Sequence, residues 1–269
     1  MGGDEKENKA GEDTAKTSEI NYNTVQNTAN ELTKFKYDLV IANIPIPFDI
    51  LMSLDGSGLK YNKDILNPVS SLSKYSQNNS KALNLGIYGG DLAYCITHDQ
   101  FNEVAPYLKS AKTLADDLGI PLAFDQLALA KFNRFNTNRD SLEQIIFASY
   151  DEVDKTLKSN NRIGLASLVI TGGWIEGLYT TTKTLGKAVK DDKTTTIYAK
   201  IWQQKNSLDE LINLLEQFNA EAAFASLFNE MNALKSIYDN LKVKTEVNAD
   251  EVQSISKKVE EIRSKIVAG

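Results

Sequence analysis

A single cysteine, Cys95, and a single histidine, His98, are all that the 269 residues contain of either type. One thiol cannot build an internal disulfide framework, and one imidazole excludes the His-rich sites that most zinc and iron enzymes use. Arginine is nearly as scarce. Only four of the 30 cations are Arg (Arg134, Arg139, Arg162, Arg263), so bidentate phosphate forks are few. Nor is there a basic excess to generate affinity for nucleic acid or anionic lipid, because 36 acids against 30 bases leave a formal charge of −6. Proline is missing beyond Pro121; Pro45, Pro47, Pro68 and Pro106 precede it. Proline costs about 3 kcal/mol inside a helix, so residues 122–269 are free to run as long helices. Gly186-Lys187 lacks a surrounding phosphate loop, and residues 86–90 (GIYGG) follow no strand and do not match the dinucleotide fingerprint. A catalytic triad and zinc-ligand spacing are also missing, so no catalytic residue, metal or cofactor is assigned from the sequence.

What is present begins with an acidic arm. Residues 1–19 hold six acids and three lysines, half of the net charge, and the first large apolar residue is Ile20. Such a segment cannot bury enough apolar surface to offset the entropy of ordering it, and it reads as a disordered tether. Its composition is that of the mature start of a bacterial lipoprotein, with Met1 in the place of the lipidated cysteine and the signal peptide upstream. The alternative is an ordinary frayed terminus of a cytoplasmic chain. Residues 20–269, in a chain 42% hydrophobic, are enough for one domain with a sizeable core.

The patterning of that body predicts an all-α fold, an antiparallel bundle of about ten helices joined by short turns. Asn248 with Glu251 forms a capping-box signature ahead of Val252, Ile255, Val259, Ile262 and Ile266, an apolar stripe at helical spacing. Asp140 with Glu143, Ser207 with Glu210, and Thr97 with Gln100 mark further starts, and residues 220–241 continue as another amphipathic helix. Gly119 suits a left-handed helix end. Pro47 suits a first helical position, in a short helix ended by Gly56. Residues 37–44 (YDLVIANI) resemble a strand without a partner and are expected as an extended connector.

Two segments depart from amphipathic patterning: residues 83–96 (LNLGIYGGDLAYCI) and 163–179 (IGLASLVITGGWIEGLY). Both are apolar on nearly every side and contain a Gly-Gly pair and one carboxylate, Asp91 or Glu176. Each acid is followed at i+3 by a tyrosine, Tyr94 or Tyr179, on the same helix face, and Tyr88 lies one turn before Asp91. Glycine costs roughly 1 kcal/mol in a helix interior, so its repetition predicts two central helices in close contact through their glycine faces. Their offset of about 83 residues raises the idea of a duplication, but the flanking residues match poorly. Asp91 and Glu176 facing one cleft would serve as general acid and base or as oxygen ligands for a hard cation. Alternatively, they are structural and bond to tyrosines and helix ends. The second segment is too short and carries Glu176, so its Gly173/Gly177 pair reads as soluble helix packing rather than a membrane span. Cys95 reads as an inert buried thiol and His98 as a surface or capping residue at a helix start.

The runs NIPIPFDILMSL (43–54), KYNKDILNPV (60–69), ALNLGIYGGDLAYC (82–95) and SAKTLADDLGI (110–120) resemble a family of uncharacterised all-helical exported proteins of Bacteroidota, predicted to be lipoproteins. The resemblance implies an envelope address and brings no activity, substrate or catalytic residue. Two expectations follow. One is a non-enzymatic envelope protein that binds a protein or small molecule, touching the membrane only through an N-terminal lipid. The other is a small-ligand or metal-dependent enzyme using Asp91 and Glu176, with Tyr88, Tyr94 and Tyr179 around them.

Overall fold

Apolar spacing and the lack of late proline translate, among the described residues, into nine α-helices: α1 (Tyr22–Ile41), α2 (Pro47–Leu51), α3 (Asn78–Thr97), α4 (Phe101–Asp117), α5 (Arg139–Ser159), α6 (Ile163–Leu185), α7 (Thr195–Glu216), α8 (Ala222–Asp239) and α9 (Ala249–Ala268). Three short 3-10 turns link α2 to α3, and no strand occurs among the described residues. The computed structural model describes residues 22–41, 47–120, 130–132, 134, 137–241, 243 and 246–269; the expected tether over residues 1–19 lies outside them.

The two glycine-rich segments form the centre. Residues 84–97 of α3 are buried without a break, and α6 is nearly as enclosed. Their contact is the most extensive between any two of these helices. A Cβ on Gly86 would lie 2.0 Å from the Val169 carbonyl oxygen, and one on Gly172 would lie 2.1 Å from that of Leu83. Only glycine permits such backbone approach. Residues 83, 86, 90 and 94 of α3 meet 172, 173, 176 and 184 of α6 in ascending order, so the central helices run in the same direction. Neighbours joined by short turns are antiparallel. In α3 and α4, Lys81 pairs with Asp117 at 2.9 Å while Tyr88 packs on Tyr107; in α7 and α8, Lys205 pairs with Asp239 at 3.0 Å and Lys235 with Asp209.

The C-terminal helix α9 lies antiparallel to α6, with Glu176 opposite Arg263 and Lys183 bonded to Glu260 at 2.9 Å. Its start is the expected capping box: Asn248 Oδ1 accepts from the Glu251 N–H at 3.1 Å, and Glu251 Oε2 accepts from the Asn248 N–H at 2.9 Å. Its last turn is satisfied by other elements. Asn84 Nδ2 donates to the Ile266 carbonyl at 3.1 Å, and the Tyr75 hydroxyl to that of Val267 at 3.4 Å.

Several expected boundaries move. Of the expected connector over residues 37–44, residues 37–41 are instead the last turn of α1 and 42–44 lie outside the described residues; Tyr37 and Val40, three apart, point inward, and the Tyr37 hydroxyl donates to Asp154. The β-branched run imitated a strand, whereas the preceding fifteen helical residues had already met the nucleation cost. Thr97 ends α3 instead of opening α4, because its hydroxyl bonds back to the Ala93 carbonyl at 2.9 Å. The cap of α5 is Asn138, two residues before Asp140, and accepts from the Ser141 N–H at 2.8 Å. Ser207 lies buried in the middle of α7 and caps nothing. Pro47 does occupy the first position of α2, and Gly119, at φ +73°, follows the end of α4.

Candidate functional site

Asp91 projects from α3 and Glu176 from α6, and both have zero solvent exposure. Gly90 brings them together. A Cβ there would fall 2.7 Å from the Glu176 Cβ, so the α6 side chain packs directly on α3 backbone. Arg263 reaches in from α9 with a bidentate grip: Nε donates to Glu176 Oε2 at 2.6 Å and Nη2 to Oε1 at 2.9 Å. The guanidinium also stands over the Tyr179 ring, 4.2 Å from its centroid, adding a cation–π contact. Burial and the neighbouring Glu176 charge hold the Asp91 carboxyl well above the usual carboxylate range, with Arg263 opposing them. Its Oδ2 accepts one weak bond, from the Asn67 N–H at 3.3 Å. Its Oδ1 has no donor among the described residues.

The expected site residues are divided by this arrangement. Asp91, Glu176 and Tyr179 share one cluster, with Tyr179 joined through Arg263. Tyr88 borders it, but its hydroxyl donates to the Pro68 carbonyl at 3.1 Å, and its ring packs between Tyr75 and Tyr107. Tyr94 belongs elsewhere. Its hydroxyl oxygen accepts from the Asn62 N–H at 3.1 Å and from Thr184 Oγ1 at 2.9 Å, while its ring stacks on Tyr61 and meets His98 edge-on. The i+3 rule placed Tyr94 on the Asp91 face, but a tyrosine is long enough for its hydroxyl to find a partner beyond the acid.

Arg263 and Asn67 were missed in the sequence. The signal for Arg263 was available: it lies four residues after Val259, on the inward stripe of α9, and a cation there requires a buried anion. Asn67 contributes only its backbone, which sequence identity does not reveal. His98 sits at the end of α3, not at a helix start; burial and the Arg139 charge favour its neutral form, and Asp99 beside it takes φ +56°. Cys95 is fully buried, and desolvation pushes its thiol up to about 12.

No group of His, Cys, Asp and Glu among the described residues is arranged to hold a metal ion. Within the same residues, no helix is long and apolar enough to cross a membrane. Away from the triad, a cleft of about 400 Å³ opens between the first turns of α3 and α8 and the end of α9. Leu83, Leu227, Ile262 and Ile266 form its apolar wall, with Lys265 and Glu230 at its polar side.

Searches for similarity to known protein families, to curated proteins and to solved structures find no match. The functional reading therefore rests on the chain's own chemistry.

Proposed function

We propose that this chain is a non-enzymatic helical protein of the cell envelope, held by a lipid on its acidic N-terminal arm, that binds a partner or small ligand at its surface. One observation carries the non-enzymatic part: the two carboxyls best suited to acid–base work have zero exposure, and Glu176 is already occupied by Arg263. General acid–base catalysis requires a substrate proton within hydrogen-bond reach, directly or through one water, and a sealed pair offers neither. The cleft beside α9 supports the binding part, since its volume falls within the usual range for ligand sites and its wall combines apolar side chains with a few polar groups. The envelope address is supported by the composition of residues 1–19.

Metabolic labelling of the source cells with an alkynyl fatty acid, followed by fractionation, tests the reading. The expected result is a lipid-labelled protein in the membrane fraction, released by removal of the arm. An unlabelled protein in the soluble fraction would overturn it.

A further inference from the structure

We infer that Asp91 and Glu176 form an obligatory proton-binding site: the folded protein holds one proton between these two carboxyls at neutral pH, and it remains bound as long as α3, α6 and α9 stay packed.

A count of buried charge leads there. Asp91 and Glu176 are the only carboxyl side chains buried among the described residues, and Arg263 is the only buried cation. With both acids ionised, the triad would carry a net charge of −1 with no water to solvate it, an expensive state in a low-dielectric interior. Among the described residues, the groups that face Asp91 offer no second cation. They are Tyr88 and Cys95 on α3, Tyr107 on α4, Tyr150 on α5, Glu176 and Tyr179 on α6, and Arg263 on α9. Burial favours the neutral form of every phenol and of the thiol in that set.

Hydrogen bonding locates the proton. Both Glu176 oxygens accept from Arg263, whereas Asp91 Oδ1 has no donor among the described residues. An ionised Asp91 would leave that oxygen orphaned beside a second carboxylate. A protonated Asp91 becomes a donor instead, and Glu176, packed on Gly90 beside it, is the neighbouring acceptor. One proton therefore removes the excess charge and the unsatisfied atom together.

The proton has a thermodynamic consequence. In the unfolded chain Asp91 ionises above pH about 4; in the folded chain it stays protonated well above that. Unfolding then releases a proton, and folding weakens with rising pH, by up to about tenfold in the equilibrium constant per pH unit, until the folded carboxyl itself titrates.

Infrared spectroscopy of the full chain at neutral pH provides the test, because a protonated carboxyl has a carbonyl stretch separated from the carboxylate bands. The wild-type protein should show one such band. Asp91→Asn should abolish it while keeping a donor to Glu176. Glu176→Gln should abolish it too, because Asp91 then supplies the only negative charge facing Arg263. Denaturation at pH 7 should release one proton more from wild type than from Asp91→Asn. A wild-type spectrum without the band, or equal proton release, would overturn the proposal. The wild-type spectrum alone decides the matter if either variant fails to fold.

Discussion

Gly172 of α6 faces the Leu83 carbonyl of α3 so closely that a methyl group on residue 172 would sit 2.1 Å from that oxygen. The obstacle is backbone on a buried helix and cannot rotate away. Gly172→Ala should therefore lose about 3 kcal/mol or more by urea denaturation, overriding the gain in helix propensity of about 1 kcal/mol. Gly89→Ala is the control. Its methyl would meet the Tyr150 hydroxyl at 2.1 Å, the far end of a side chain that can swing, so a smaller loss is expected together with loss of the Tyr150 bond to the Gly86 carbonyl. Equal losses in the two variants would contradict close backbone packing as the reason for glycine at 172.

Removing Arg263 should be among the most damaging single changes. Arg263→Met leaves Glu176 buried without its partner, an effect of about 3–5 kcal/mol for buried pairs. Adding Glu176→Gln should recover part of that loss, since an amide is cheaper to bury than an unpaired carboxylate. A double-mutant cycle in urea reads the coupling directly. Additive losses would mean that the bidentate contact contributes no net stability.

Cys95 should be silent in the native protein. Its thiol is enclosed and raised to about 12 by burial, so an aromatic disulfide reagent at pH 8 should react slowly when the protein is folded and promptly in denaturant. Fast reaction under native conditions would show that the end of α3 opens readily.

Asn248→Ala should cost about 1 kcal/mol, seen as a lowered Tm, because it removes one half of the capping box at the start of α9. Adding Glu251→Ala should cost less than it does in the wild type, since each side chain bonds to the other residue's backbone.

Much of the fold was legible because its signals are local. The Asn248 cap, Pro47 at a helix start, Gly119 after a helix end and the apolar stripe of α9 all act within a few residues of chain. The glycine-rich segments were legible for a different reason: repeated glycine in an apolar helix is unfavourable unless another backbone comes close. Where signals were equally local but ambiguous, the reading failed. Residues 37–41 could be strand or helix by composition, and only the helical turns before them decided. Thr97 could cap a new helix or bond back into the old one, and its hydroxyl bond to the Ala93 carbonyl selected the second.

Local spacing is enough to specify an all-helical protein in which two glycine-rich helices meet at the centre, each bringing one acid there. Long-range packing sets the rest: those helices run parallel, Tyr94 turns away to Asn62 and Thr184, and Arg263 completes the pair from 87 residues beyond Glu176. Helix formation depends on neighbours three and four residues away, which the sequence displays. The partner that neutralises a buried charge depends on which distant face packs against it, and no local spacing encodes that choice.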